Sequence, residues 1–459
     1  MQKLFNTLPL KKEILENLAS LEFNFMTPIQ AATLPFVLEG KDVIAEAKTG
    51  SGKTAAFALP IINQIDTEVF KLHSLILCPT RELSEQVADE IRRLGRFIKN
   101  LKVTVICGGA PEYPQLKSLE HGVHIIVATP GRLLKFLKTN QVRINEIKML
   151  VLDEADRMLD MGFRDDINDI LDFTPKHKQS LLFSATFPEE IVELSRHFQN
   201  KPERITVDSH HEQNIIRQIF IEVESHPKKM DTLINVLNNF KPESCIIFCK
   251  TKQICNDVVE TLNKRNIQAL AFHGDLEQFD RNVVLTKFSN RSCLILVATD
   301  VAARGLDIKN LGAVINFDLA YDPEVYTHRI GRSGRAGNTG LAISLFVDFE
   351  KDKVDGIENY LNTKNEFLDS ASLNSNEKFD LLAPMATIYI TAGKKDKIRP
   401  GDIVGAIVGE VGLAADKIGD INILPNQTYV AIDVLYVKDV INKLNAGKIK
   451  GRKFKVGLA

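Results

Sequence analysis

The chain of 459 residues contains no uninterrupted apolar stretch near the ~18 residues that a membrane-spanning helix requires. Its first residues, MQKLFNTLPLKKEILENL, set Lys, Glu and Asn among the apolar positions. That pattern reads as an amphipathic helix and argues against a secretory leader. The six cysteines, Cys78, Cys107, Cys245, Cys249, Cys255 and Cys293, form no Cys-x-x-Cys pair, and most lie in apolar runs such as CIIFC and SCLILV. Buried free thiols in a reducing compartment are expected, and zinc is not. These absences point to a cytoplasmic protein. Net charge is also nearly absent, at −1, but it is unevenly spread. From Pro384 to Ala459 twelve Lys/Arg face seven Asp/Glu, a surplus of five, so the preceding 383 residues carry −6. A small basic module behind an acidic body is a candidate footprint for nucleic acid.

What is present is organised in blocks. With 44% hydrophobic and 25% charged residues, the composition is that of a soluble globular protein, and each half is long enough for its own core. Short apolar runs alternate with longer helical patterns. In the first half they are Leu75–Cys78, Val103–Ile106, Ile125–Ala128, Met149–Leu152 and Leu181–Phe183. In the second they are Cys245–Phe248, Leu270–Phe272, Leu294–Ala298, Ala313–Phe317 and Leu341–Phe346. Continuous Val/Ile/Leu runs separated by helices predict α/β domains with a parallel sheet covered on both faces. The polar stretches at 208–214 and 361–383 read as linkers, giving domains at 1–207, 215–360 and 384–459. In the last, a βαββαβ order is expected: strand Thr387–Thr391, helix Gly401–Val411, strands Ile418–Leu424 and Tyr429–Val434, helix Val437–Leu444, strand Lys453–Gly457. That order predicts a small α+β module of the RRM type.

Ala47-Lys-Thr-Gly-Ser-Gly-Lys-Thr54 follows the run Asp42–Ala45 and precedes the helical AAFALPIINQI. It is a Walker A loop, with Thr49, Gly50, Ser51 and Gly52 supplying backbone N–H groups to phosphates at a helix N-terminus. Lys53 is expected at the β/γ-phosphates and the Thr54 hydroxyl on Mg²⁺. Met149–Leu152 ends in Asp153-Glu154-Ala155-Asp156, a carboxylate pair at the carboxyl end of a buried strand, where parallel sheets place ligand chemistry. Asp153 is expected to hold Mg²⁺ through its water shell, and Glu154 to polarise the attacking water.

At these residues the chain resembles the DEAD-box RNA helicases, whose namesake motif is Asp-Glu-Ala-Asp. The other motifs of that family follow in order: Pro79-Thr-Arg-Glu-Leu83, Gly108-Gly109, Thr129-Pro-Gly-Arg132, Ser184-Ala-Thr186, His273-Gly-Asp275, Ala298 through Asp307, and His328 through Arg335. The resemblance implies two tandem RecA-like domains and an RNA-dependent ATPase. It places adenine against Phe23 and Gln30, with Phe5 further back, and ribose at Gly305 and Asp307. Glu22 and Met26 stand where the family commonly has Gly and Pro. Arg332 and Arg335 match its arginine fingers. Ser184, Thr186 and His328 match its coupling network, and His273 is read as shaping a loop.

The resemblance also places RNA at Thr80, Arg81, Gly109, Thr129, Gly131 and Arg132 in the first domain and at Thr251, Gly274 and Thr299 in the second. Thr, Gly and backbone N–H groups suit sugar and phosphate contacts, which position RNA without reading sequence. The resemblance further implies that ATP and RNA together favour a closed state that bends one strand and opens a few base pairs. The module order, with Gly393 through Ala406 and Gly447-Lys-Ile-Lys-Gly-Arg452, resembles the bacterial DbpA subfamily. That implies action on 23S ribosomal RNA during large-subunit assembly, by a protein expected to be a monomer with no DNA or membrane partner. Lys394, Lys395, Lys397, Arg399, Lys448, Lys450, Arg452, Lys453 and Lys455 cluster in two segments suited to phosphates. Only Tyr389 and Tyr429 fall in the expected module strands and no RNP1 match occurs, so loops and basic edges are expected to hold RNA. The competing readings are a DNA-directed RecA-type motor, an RNA-binding scaffold with a dead ATP site, and a general cold-response RNA chaperone.

Overall fold

The computed structural model describes residues 3–47, 50–207, 216–303, 311–334, 340–373 and 381–459. The expected linker 208–214 lies outside them. The chain divides into two compact units on either side of that linker.

The first unit is built on seven parallel strands: β1 (Val43–Glu46), β2 (Ser74–Leu77), β3 (Val103–Ile106), β4 (Ile125–Ala128), β5 (Met149–Asp153), β6 (Gln179–Ser184) and β7 (Glu203–Thr206). Their order is β3-β4-β2-β5-β6-β1-β7. β2, β4 and β5 are buried at every residue, as continuous apolar runs require when helices cover both faces. One core forms on each face of the sheet. The helix Arg81–Leu94 shows how the sequence sets the packing. Its Leu83, Val87, Ile91 and Leu94 recur at helical spacing and pack into the first core, and the Thr80 hydroxyl caps it by accepting from Leu83 N at 3.2 Å.

The second unit repeats the winding. Its strands are β8 (Ile216–Glu222), β9 (Cys245–Cys249), β10 (Ala269–Phe272), β11 (Ile295–Thr299), β12 (Ala313–Asn316), β13 (Gly340–Phe346) and β14 (Glu366–Asp369), in the order β10-β11-β9-β12-β13-β8-β14. Renumbered from its own first strand, this is the order of the first sheet. The capping device recurs too: the Thr251 hydroxyl accepts from Ile254 N at 3.2 Å after β9, as Thr80 does after β2. The segment 361–383, read as a linker, is corrected in part. Glu366–Asp369 is an edge strand on β8, held by a bidentate pair from Arg217 to Glu366 at 2.7 and 2.8 Å.

The second unit also carries a four-stranded antiparallel sheet: β15 (Met385–Ile390), β16 (Ile418–Ile423), β17 (Thr428–Asp433) and β18 (Val456–Leu458), ordered β16-β17-β15-β18. The helices Pro400–Ala406, continued by a wider turn through Val411, and Val437–Ala446 cover one face, where Ile388, Ile390, Val430 and Ile432 are buried. The other face meets the second domain. Asn290, at the C-terminus of the helix Gln278–Ser289, hydrogen-bonds Thr387 at 2.8 and 3.2 Å; Thr387 also reaches Ser292 at 2.8 Å, and Asn422 donates to Thr286 at 3.3 Å. Tyr429, paired with Tyr389 across β15 and β17, is fully buried. All six cysteines are buried free thiols. Among the described residues no helix is long and apolar enough to cross a membrane.

Candidate nucleotide and RNA sites

The strand order divides the carboxyl edge of the first sheet. β5, β6 and β1 are neighbours. They deliver Asp153, Ser184 and the loop after Glu46 to one place, and Ala47 N donates to Ser184 O at 3.0 Å. β3, β4 and β2 form the other half and deliver Gly108–Gly109, Thr129–Arg132 and Pro79–Arg81. Thus the phosphate motifs and the Thr/Gly/Arg motifs occupy adjoining halves of one edge.

In the phosphate loop, Gly50 and Gly52 have φ of 82° and 94°. A side chain at Gly52 would be strained by that φ and would also meet Gln30 Nε2 at 2.5 Å. The Lys53 ammonium, buried at the start of the helix Lys53–Gln64, donates to Ala47 O at 2.8 Å across the loop. Ser51 Oγ is buried without a partner among the described residues. A buried hydroxyl left open in a loop of N–H donors fits an anionic ligand that supplies the missing bond. Thr54 is half-buried one residue into the helix. Thr49 lies outside the described residues.

Asp153 is buried, and burial pushes its carboxyl up to about 7; the Lys53 ammonium opposes the rise and the Glu154 carboxylate adds to it. A carboxylate so short of counter-charge suits a divalent cation. Among the described residues no group of three or more His, Cys, Asp or Glu side chains forms a metal cage. A lone buried carboxylate such as Asp153 fits an ion of the Mg²⁺ type, which takes few protein ligands and completes its shell with phosphate and water. Glu154 adopts a left-handed backbone, φ 52° and ψ 53°, as the N-cap of the short helix Ala155–Asp160. Its Oε2 accepts from the Arg157 guanidinium at 3.1 Å, both groups being buried.

Asp156 ties the strand ends together. Its Oδ2 accepts from Ala185 N, Thr186 N and Thr186 Oγ1, each at 3.1 Å, and its own N–H donates to Ser184 Oγ at 3.3 Å. Ser184 and Thr186 therefore stand on the carboxylate motif within one domain. Neither Asp156 nor Arg157 was singled out from sequence, because the spacing of a motif does not reveal which distant donors it meets.

Upstream, Gln30 joins a capping box with Thr27, its Oε1 accepting from Thr27 N at 2.9 Å while its Nε2 donates to Gly52 O at 3.1 Å. The residue expected at adenine is thus bonded to the phosphate loop. Phe5 is buried, and Phe23 packs on the core with the Arg93 guanidinium 5.2 Å from its ring. Glu22 has φ 60°, which explains why Gly suits that position. Met26 donates its N–H to Lys3 O at 2.8 Å, a bond proline could not make.

On the other half, Gly108 N donates to Thr129 Oγ1 at 3.4 Å, Arg132 donates to Ala110 O at 3.0 Å, and Arg81 pairs with Glu85 at 2.9 Å. Gly109 has φ 71°, and a Cβ on Gly131 would touch Asp166 at 3.4 Å. In the second unit Thr251 and Gly274 follow β9 and β10, and Thr299 ends the adjacent β11, in the equivalent half of that sheet; Gly274 faces open space. His273 is buried on Asn256 at 3.0 Å, in keeping with loop shaping. His328 is half-buried on the helix Pro323–Ile330, and Arg332 is buried just beyond it. Arg329 between them, unmarked in the sequence reading, grips Asp300 with two bonds of 2.6 and 2.7 Å and the Asn316 side chain at 2.9 Å. Gly305, Asp307 and Arg335 lie outside the described residues.

In the module the two basic segments meet. Lys450 Nζ donates to Lys397 O at 2.7 Å and pairs with Asp402 at 3.2 Å. That bond brings Lys394, Lys395, Lys397 and Arg399 beside Lys448, Lys450, Arg452, Lys453 and Lys455, all exposed.

The DEAD/DEAH box helicase family pattern matches residues 27–194, the helicase conserved C-terminal domain residues 228–337, and the DbpA RNA binding domain residues 387–458. The chain is 49% identical over 444 residues to the ATP-dependent RNA helicase DbpA of Escherichia coli, covering 97% of this chain and 96% of that one. It is 37% identical over 476 residues to DbpA of Bacillus subtilis, covering 99% of each. Among solved structures, S. cerevisiae Dbp5 bound to RNA and ADP BeF3 superposes with a TM-score of 0.73 at 29% identity, covering 80% of this chain and 96% of that one. Two RecA-like parallel-sheet domains, a phosphate loop facing paired carboxylates, and this likeness from end to end place the chain in the DbpA subfamily of the DEAD-box ATP-dependent RNA helicases, which are ATP-hydrolysing enzymes.

Proposed function

We propose that this protein opens short RNA duplexes locally at the expense of ATP, and that its RNA is 23S ribosomal RNA in precursors of the large ribosomal subunit. The observation that carries the first part is the division of one carboxyl edge between phosphate motifs on β5-β6-β1 and Thr/Gly/Arg motifs on β3-β4-β2. A ligand on one half and a polymer on the other share the loops between them, so each can bias the other's binding. For the second part the support is likeness to the E. coli and B. subtilis DbpA proteins through the tail, together with two basic segments joined on one module.

In this reading the loop N–H groups and Lys53 hold the β- and γ-phosphates, Gln30 and Phe23 select adenine, and Gly305 and Asp307 take the ribose. Thr54 and Asp153 hold Mg²⁺, largely through water, and the ion supplies neutralising charge at the phosphates. Glu154 orients and polarises the attacking water. Arg332 and Arg335 stabilise the charge of the transition state. Ser184, Thr186 and His328 couple nucleotide state to RNA grip. Thr80, Arg81, Gly109, Thr129, Gly131 and Arg132, with Thr251, Gly274 and Thr299, hold one strand by its backbone and 2′-hydroxyls. The basic loops of the module anchor the protein nearby. The protein acts as a cytoplasmic monomer.

The test is ATP turnover of the full chain, and of the chain lacking 384–459, with a 23S ribosomal RNA fragment, an unrelated RNA and a matched DNA. Strong stimulation by the ribosomal fragment, reduced to the level of the unrelated RNA when 384–459 is removed, is the expected result. Equal stimulation by both RNAs would leave a general RNA chaperone, and turnover indifferent to RNA would sink the proposal entirely.

A further inference from the structure

Three carboxylates, Asp153, Glu154 and Asp156, are buried within four residues of chain. Their partners are unequally shared. Asp156 accepts from three donors of the segment after β6 through Oδ2, and from Arg157 N at 2.9 Å through Oδ1. Asp153 accepts from Glu154 N at 3.1 Å and feels the Lys53 ammonium. Glu154 has one side-chain partner among the described residues, the Arg157 guanidinium, which takes Oε2 at 3.1 Å. The other oxygen, Oε1, accepts no bond among the described residues. Arg157 is itself 4% exposed, so the pair is sealed from bulk water on the arginine side.

This geometry points to Arg157 as a positioning residue for ATP hydrolysis, one that grips Glu154 by a single carboxylate oxygen and leaves the other free to align the attacking water. The inference rests on the reading of Glu154 given above. Three features make the grip specific. Arg157 lies in the first turn of the short helix that Glu154 caps, and its guanidinium reaches back to Glu154 Oε2. Glu154 is held in a left-handed backbone, which fixes where its side chain leaves the chain. A guanidinium also presents its donor in a rigid planar fork, so the oxygen it bonds is held more narrowly than by a flexible ammonium. A water-orienting group gains from such fixing, because a misplacement of ~1 Å at a reacting centre can lower a rate roughly 10²-fold.

The experiment is steady-state, RNA-stimulated ATP turnover by the full chain in a double-mutant cycle: Arg157→Gln, Glu154→Gln and the pair, with Arg157→Lys alongside. Arg157→Gln is expected to lower kcat by roughly 10–100-fold while the KM for ATP and the RNA half-saturation stay within about threefold. Arg157→Lys, which keeps the cation but not the planar fork, should recover only part of that loss. In the Glu154→Gln background, Arg157→Gln should remove nothing more, since the group it positions is gone. Full multiplication of the two losses would assign Arg157 to the fold and overturn the inference. So would unaltered or faster turnover in Arg157→Gln, or loss of ATP and RNA binding in both Arg157 variants. Unaltered turnover in Glu154→Gln would instead overturn the reading of Glu154 as the water-orienting group.

Discussion

Replacing Asp153 by Asn should stabilise the nucleotide-free protein while abolishing its turnover. Burial raises this carboxyl from 3.8 to about 7. The folded chain then binds a proton that the unfolded chain has released, so the stability tied to that proton is complete below pH ~4 and is lost as pH rises through ~7. A shift of about three units, at ~1.36 kcal/mol each, sets a ceiling of about 4 kcal/mol above pH 7, and about half that at pH 5.5. The variant removes the buried charge but also removes the counter-charge felt by Lys53, so the net gain should be about 2 kcal/mol above pH 7. For a domain of ~200 residues this corresponds to about 4–8 °C in melting temperature. The assay is thermal melting of wild type and Asp153→Asn without nucleotide or divalent ions, at pH 5.5 and pH 8.5. The variant should melt higher at pH 8.5, and the gap should shrink by at least half at pH 5.5. Coincident melting at pH 8.5, or a gap that ignores pH, would refute the claim that this carboxylate is held against its own solvation.

Glu22→Gly should raise the melting temperature by a few degrees, about 1 kcal/mol, by removing a Cβ from a φ of 60°; an unchanged or lowered value would show the strain to be absorbed elsewhere. Lys229→Met should destabilise the second unit by about 3 kcal/mol in denaturant unfolding. It strands Asp318 and Glu350, which the fully buried ammonium meets at 3.4 and 3.3 Å, and unaltered stability would contradict that pairing. Arg332→Ala should cut RNA-stimulated turnover by about 10³-fold or more with little effect on ATP binding, whereas a loss confined to binding would remove it from the transition state.

The fold was legible wherever burial alone decides structure. Ile125–Ala128 was read to the residue, because a strand covered on both faces has no polar position to blur its ends. Exposed edges were not. Glu366–Asp369 is half polar and sits inside a polar stretch, yet it pairs with β8 because Arg217 and Phe220 wait there, and neither is visible from its own four residues. The module's final strand begins at Val456 rather than Lys453; the tight turn through Lys450 and Gly451, both at positive φ, closes at Arg452, whose N–H donates to Ile449 O at 3.0 Å. In the site, the loops at strand ends were legible because their chemistry requires fixed spacing from a phosphate or a backbone. The partners of Asp156 and Glu154 were not. A carboxylate can be answered by any donor the topology delivers, and here β6 delivers Ala185 and Thr186 while the local helix delivers Arg157.

The module shows how a missing signal acquires a physical reason. An RRM-type sheet without aromatic RNP strands looks deficient when treated as a stacking platform. In this chain that face packs on the second domain. Thr387 is bonded to Asn290 and Ser292 of the second domain, Asn422 to Thr286, and Tyr429 is enclosed in the same seam. The Thr387 bonds, at 2.8 Å to Asn290 and to Ser292, are short and buried, so they specify one arrangement of module on domain more than they add net stability. A face committed to the second domain needs hydroxyls and amides matched to that domain rather than exposed rings. Exposed positive charge collects instead at the edge that Lys450 builds by bonding Lys397 and Asp402. The absence of RNP aromatics therefore has a structural reason: the face that would carry them is a seam with the second domain.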